Sequence, residues 1–135
     1  MASRRLAREL TLQALFGVEV GHRTPEEMVS ETSGTADSDQ RRFVEDLVLG
    51  TLEHAAESDA VISPLLEGWT IERLPTIDRL LLRMSTFELM HRDTPPAVVV
   101  NEAVELAKKF STDDSPRFVN GVLAAVTKRF AKGCA

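Results

Sequence analysis

The chain has 135 residues, 43% hydrophobic and 27% charged, with 16 basic and 21 acidic side chains and a formal net charge of −5. That length can hold one domain with a hydrophobic core, and the acidic balance argues against a protein that coats nucleic acid through bulk charge. The single cysteine, Cys134, excludes a disulfide framework and a thiolate metal cluster, and no apolar run approaches the roughly 18 residues of a membrane span, so a cytoplasmic protein is expected.

The first element reads as a helix from Ser3 to about Val20, with Leu6, Leu10, Ala14 and Gly17 at helical spacing and Gly21 as its stop. Thr24-Pro25-Glu26-Glu27 supplies an N-cap, a proline at the first helical position and a capping-box glutamate, so a short helix follows to about Glu31. Residues 32–37 form a loop by composition. A third helix starts near Ser38 or Asp39 and runs to Ile62, where Pro64 ends or kinks it. A brief helical turn over Thr70–Leu74 precedes Pro75, and a further helix spans Thr76 to about His91. Asp93-Thr94-Pro95-Pro96 is a break, Ala97–Phe110 is the next helix, and Asp114 or Ser115 caps a last one ending near Phe130. No alternating strand pattern occurs, so the chain is expected to be all-α with six or seven helices.

Charge divides by segment. Residues 1–23 carry four Arg against two Glu, residues 24–72 two Arg against twelve acids, and residues 73–135 ten basic against seven acidic side chains. The net charges are therefore +2, −10 and +3. Basic ends flank a strongly acidic middle, and ends that meet would make a cationic surface on an acidic protein.

Two constellations suit nucleic acid. Arg4, Arg5 and Arg8 open the first helix, and Arg5, Arg8, Leu12 and Phe16 share one stripe. Arg5 and Phe16 lie roughly 16 Å apart along such a helix. Guanidinium forks bind phosphates and a phenyl ring stacks on a base. The same pattern equally suits a solvated helix with Phe16 in the core. The second constellation is Asp113-Asp114-Ser115-Pro116-Arg117-Phe118-Val119-Asn120-Gly121, which brings an arginine, an aromatic and an asparagine to the first turns of the last helix. Backbone N–H groups there can receive a phosphate; the alternative is a capped helix with Phe118 and Val119 in the core.

Metal and enzyme readings have little to rest on. Glu19-x-x-His22 straddles a helix end, and Glu88-x-x-His91, which would need Glu102 or Glu105 to complete a set, lies on an apolar helix face. Glu88 is better read as a buried, hydrogen-bonded carboxylate. No nucleophile motif, phosphate loop or dinucleotide glycine pattern occurs. Neither a metal nor a cofactor is expected, and the chain does not read as an enzyme.

The run Val100-Asn101-Glu102-Ala103-Val104-Glu105-Leu106-Ala107-Lys108-Lys109-Phe110, followed by Asp114-Ser115 and Phe118-Val119-Asn120-Gly121-Val122-Leu123, closely resembles the NusB family of bacterial transcription antitermination factors. The arginine-rich start through Phe16 and the segments Leu82-Arg83-Met84 and Phe87-Glu88-Leu89 are similar to the same family, so the resemblance covers nearly the whole chain. It implies about seven helices in two small antiparallel bundles forming one compact RNA-binding domain over 1–135, with halves at about 1–68 and 69–135. It also implies binding of single-stranded boxA RNA from ribosomal RNA operon leader transcripts, jointly with the ribosomal protein NusE, and loading onto RNA polymerase with other Nus factors. By position, the RNA face would be Arg4, Arg5, Arg8, Phe16, Arg117, Phe118 and Asn120, and the NusE face Glu72, Asp78 and Asp114. Phe16 stands where members of the family usually have tyrosine, and Pro96-Ala97 replaces a usual aromatic-lysine pair. Other readings are a dimerising or protein-binding helical module, and the RNA-targeting domain of a ribosomal RNA methyltransferase.

Overall fold

A computed structural model describes residues 4–130; Ser3, where the first helix is expected to begin, and Cys134 lie outside them. Among the described residues the elements are α1 (Arg4–Gly21), α2 (Pro25–Thr32), α3 (Ser38–Glu53), α4 (Ala55–Ile62), α5 (Thr76–His91), α6 (Pro96–Phe110) and α7 (Ser115–Arg129), with 3₁₀ turns at Ser63–Leu65 and Ile71–Arg73. The all-α expectation holds: seven helices and no strand. Among the described residues no helix is long and apolar enough to cross a membrane. The helices fall into two compact units, Met1–Glu53 and His54–Ala135.

In the first unit α1 packs on α2 and α3. The apolar face of α1, with Ala7, Leu12, Ala14 and Leu15 buried, meets Met28 and Val29 of α2 and Val44, Leu47 and Val48 of α3 in the interior. Gly17 permits the close approach of α2, because a Cβ there would fall inside contact distance of the buried Met28 thioether. Truncating a leucine in such a core to alanine costs about 2–5 kcal/mol. The second helix begins as the sequence dictates. Thr24 Oγ1 accepts from the Glu27 N–H at 3.1 Å, and the Glu27 carboxylate accepts from the Thr24 N–H at 2.9 Å, so two of the orphan donors at the helix start are satisfied reciprocally.

In the second unit α5 is the central helix. It packs on α4, α6 and α7, and α6 packs on α7. Leu80, Leu81, Leu82, Met84, Phe87 and Leu89 are all buried, so α5 is apolar around most of its circumference, as a helix surrounded by others must be. The facing core comes from Val99, Ala103, Leu106 and Ala107 of α6 and Val119, Val122, Leu123 and Val126 of α7. The valine run 98–100 is helical despite β-branched stiffness because Pro96 starts the helix and Val99 is buried against this core.

Two local expectations are corrected. The continuous helix over 38–62 is broken at His54, whose backbone (φ −104°, ψ 18°) interrupts α3 and α4. No glycine or proline marks the position; the signal is tertiary, since the His54 ring packs 5.4 Å from Phe87 and 4.3 Å from His91. The short α4 then packs on α5 and α7, within the second unit, so the division between units falls at 53/54, whereas the sequence reading drew the halves near residue 68. The second correction is at the end of α1. The left-handed residue is His22 (φ 54°), one position beyond the glycine expected to stop the helix.

Candidate nucleic-acid interface

In the first unit the arginine stripe does not face solvent along its length. Arg5 is exposed and Phe16 is 39% exposed, but Arg8 and Leu12 are buried. Phe43 of α3 lies against the stripe: the Arg8 guanidinium carbon is 5.4 Å from its ring centroid and that of Arg4 is 4.4 Å away. Cation–π stacking on one ring thus draws two of the three arginines toward α3. Arg4 also meets the Asp39 carboxylate at 3.1 Å, with both partners well exposed, which makes it an ion pair of small net worth that a phosphate can displace. Arg4, Arg5 and Phe16 therefore present cationic and aromatic groups at the surface, while Arg8 acts from beneath it.

In the second unit Arg117 and Asn120 are exposed, Phe118 is half-buried and Val119 is fully buried. Helix α7 does not begin as expected. Asp114 occupies the N-cap position with helical backbone and makes no side-chain cap bond. The Ser115 Oγ instead accepts from the Thr112 N–H at 3.2 Å, in the turn that precedes the helix. The Ser115 N–H donates to the Thr112 carbonyl, the Phe118 N–H to the Asp114 carbonyl, and Pro116 has no N–H. Most donors a phosphate would use are already engaged, so recognition here falls to the side chains of Arg117, Phe118 and Asn120.

The three acidic positions differ in kind. Glu72 and Asp114 are exposed, but Asp78 is 3% exposed. Its carboxylate accepts from Ser111 Oγ at 2.5 Å and from Ser115 Oγ at 2.9 Å. Asp78 is thus nearly enclosed, and it fixes the turn that carries Asp114 and the start of α7.

The sequence reading missed Trp69. It is 54% exposed and lies next to Gly68, whose φ of 76° bends the chain there. Trp69 and Phe118 together line two open grooves. One, of about 320 Å³, includes Leu74, Asp78 and Asp114, and the other, of about 550 Å³, includes Pro64, Arg117 and Val122. A lone tryptophan beside a glycine in a loop between two 3₁₀ turns was the available signal, since an indole left exposed by folding is unusual. Neither Glu-x-x-His spacing forms a ligand pair: Glu88 is buried with 2% exposure while His91 is exposed at the end of α5, and His22 lies past the end of α1.

Comparison with known proteins agrees with this architecture. The model of the NusB family matches residues 5–128. A transcription antitermination protein NusB from Geobacillus kaustophilus (strain HTA426) is 45% identical over 130 residues, covering 96% of this chain and 98% of the relative. The solved structure of T. maritima NusB superposes with a TM-score of 0.88 at 34% identity, over 94% of this chain and 92% of that one. A crystal structure of antitermination factors NusB and NusE in complex with dsRNA gives a TM-score of 0.85 at 28% identity, over 93% and 96% of the two chains. With the family model matching residues 5–128 and a relative 45% identical over 96% of this chain, the chain belongs to the NusB family.

Proposed function

We propose that this chain is a noncatalytic transcription antitermination factor that binds boxA RNA of ribosomal RNA leader transcripts together with the ribosomal protein NusE, and delivers both to RNA polymerase in the cytoplasm. The observation that carries the reading is the near full-length match to a transcription antitermination protein at 45% identity. It is supported by a relative of the same fold solved with NusE and RNA. Arg4, Arg5 and Phe16 of the first unit and Arg117, Phe118 and Asn120 of the second contact the RNA, with Arg8 holding the first set through Phe43. Glu72 and Asp114 face the basic ribosomal protein, with Asp78 positioning Asp114 from behind.

The chemistry suits modest affinity and real selectivity. A few exposed arginines neutralise only a few phosphates, so the salt dependence is shallow, about 0.7 log units per phosphate contact on a single strand. Phe16 and Phe118 offer faces on which unstacked bases rest. NusE raises the affinity by extending the bound surface, as linked modules do.

Fluorescence anisotropy with labelled boxA RNA tests the assignment. Arg5→Ala lowers the salt slope by about 0.7. Phe118→Ala weakens binding by roughly 1–3 kcal/mol, the worth of one stacked base, and Arg129→Ala at the other end of α7 leaves it unchanged. Wild-type affinity in folded Arg5→Ala and Phe118→Ala chains contradicts the placement of the RNA.

A further inference from the structure

Among the described residues, one group of three metal-capable side chains brings its donor atoms within 4.8 Å of one another: His54, Glu57 and His91. Glu57 Oε1 lies 3.2 Å from His54 Nδ1 and 2.7 Å from His91 Nε2. Local sequence does not show this set, because His54 and Glu57 come from the start of α4 and His91 is the last residue of α5.

The two imidazoles are held before any ion arrives. Their centroids are 4.3 Å apart, and Phe87 packs against both, at 5.4 Å from His54 and 5.3 Å from His91. His54 sits at the N-cap position of α4 yet makes no side-chain cap bond, so its ring has no competing backbone role. All three side chains keep one side open, with exposures of 34%, 48% and 34%. Rings fixed by packing and donors that converge on one side are what a preorganised ligand set requires.

We infer that His54, Glu57 and His91 form a binding site for a divalent transition-metal ion of the zinc class. Two neutral imidazoles and a carboxylate are the donor set of open zinc sites, in which three protein ligands leave one position to water. Nitrogen donors disfavour the hard calcium and magnesium ions, which take oxygen. Tetrahedral bonds of about 2.0–2.1 Å place donors about 3.3 Å apart. Glu57 Oε1 and His54 Nδ1 already stand at that spacing, and His91 Nε2 must retreat from the carboxylate by about 0.6 Å, a side-chain adjustment. A bound ion ties the start of α4 to the end of α5 and stabilises the second unit by mass action.

The chain has three histidines, and His22 is an internal control. The experiment is a Zn²⁺ titration of the full-length chain carrying Cys134→Ser, followed through the ring nitrogens by ¹H–¹⁵N NMR. His54 Nδ1 and His91 Nε2 shift together with one saturation curve while His22 stays in place, and the melting temperature rises with zinc. Glu57→Gln weakens the binding at least about tenfold, read by the same titration and by loss of the visible bands that Co²⁺ gives at the site. Absence of any shift at His54 and His91, equal shifts at all three rings, or an unchanged affinity in Glu57→Gln overturns the inference.

Discussion

Ser115 Oγ donates to Asp78 Oδ2 at 2.9 Å, joining the first residue of α7 to the first turn of α5. Ser111 Oγ donates to the other carboxylate oxygen at 2.5 Å, and Thr112 Oγ1 lies 2.8 Å from Ser115 Oγ. One buried carboxylate therefore organises the turn that presents Asp114 and Phe118. Asp78→Ala leaves two hydroxyls without their acceptor and lowers stability by about 1–3 kcal/mol, read by urea denaturation. RNA and partner affinity are expected to fall with it, because the turn it holds carries Asp114 and leads into Phe118.

Arg83 and Asp59 form a bidentate pair at 2.8 Å for each bond, linking α5 to α4 with both side chains mostly buried. Charge-assisted hydrogen bonds of this kind contribute about 1.5–3 kcal/mol. Arg83→Ala is destabilising by about that amount. Arg83→Lys retains a charge but cannot reproduce the two-pronged geometry, so it recovers only part of the loss in thermal melts.

The Thr24–Glu27 capping box makes a pH prediction. Hydrogen bonds from the Thr24 N–H, with Arg23 nearby, hold the Glu27 carboxyl below the usual glutamate range. A depressed folded pKa means that the unfolded chain takes up the proton first. The stabilisation is complete above the unfolded pKa and disappears as pH falls through the folded one. The difference in melting temperature between wild type and Glu27→Gln is thus expected at neutral pH and vanishes in acid. Thr24→Ala removes the other half of the box and costs about 1 kcal/mol.

His22 occupies the left-handed region at φ 54° and is exposed. A residue with a Cβ is strained there by about 1–2 kcal/mol relative to glycine. His22→Gly relieves that strain where the helix already ends, at the cost of a more flexible unfolded chain. The net expectation is a gain in stability of up to about 1 kcal/mol, checked by denaturant midpoint at unchanged slope.

Helix positions were legible in the sequence wherever punctuation was local: Thr24-Pro25 at α2, the Pro95-Pro96 break at α6, whose helix begins at Pro96, one residue before the expected Ala97, and Ser115-Pro116 opening α7 all lie at observed starts. The break at His54 was not, because its cause is a ring stacked on Phe87 and His91, more than thirty residues away. Site chemistry divides the same way. Arg5, Arg117 and Asn120 are exposed where spacing placed them, but whether Arg8 or Asp78 reaches the surface depended on Phe43 and Ser115, partners that periodicity along one helix does not encode. Trp69 escaped notice because a single aromatic in a loop has no periodic pattern to betray its exposure.

The most direct measurement is a titration of labelled boxA RNA and a scrambled control against the full-length chain, with and without NusE. Weak but selective boxA binding by the chain alone is expected, with affinity and selectivity both rising when NusE is added. Equal weak binding to both RNAs under both conditions would contradict it.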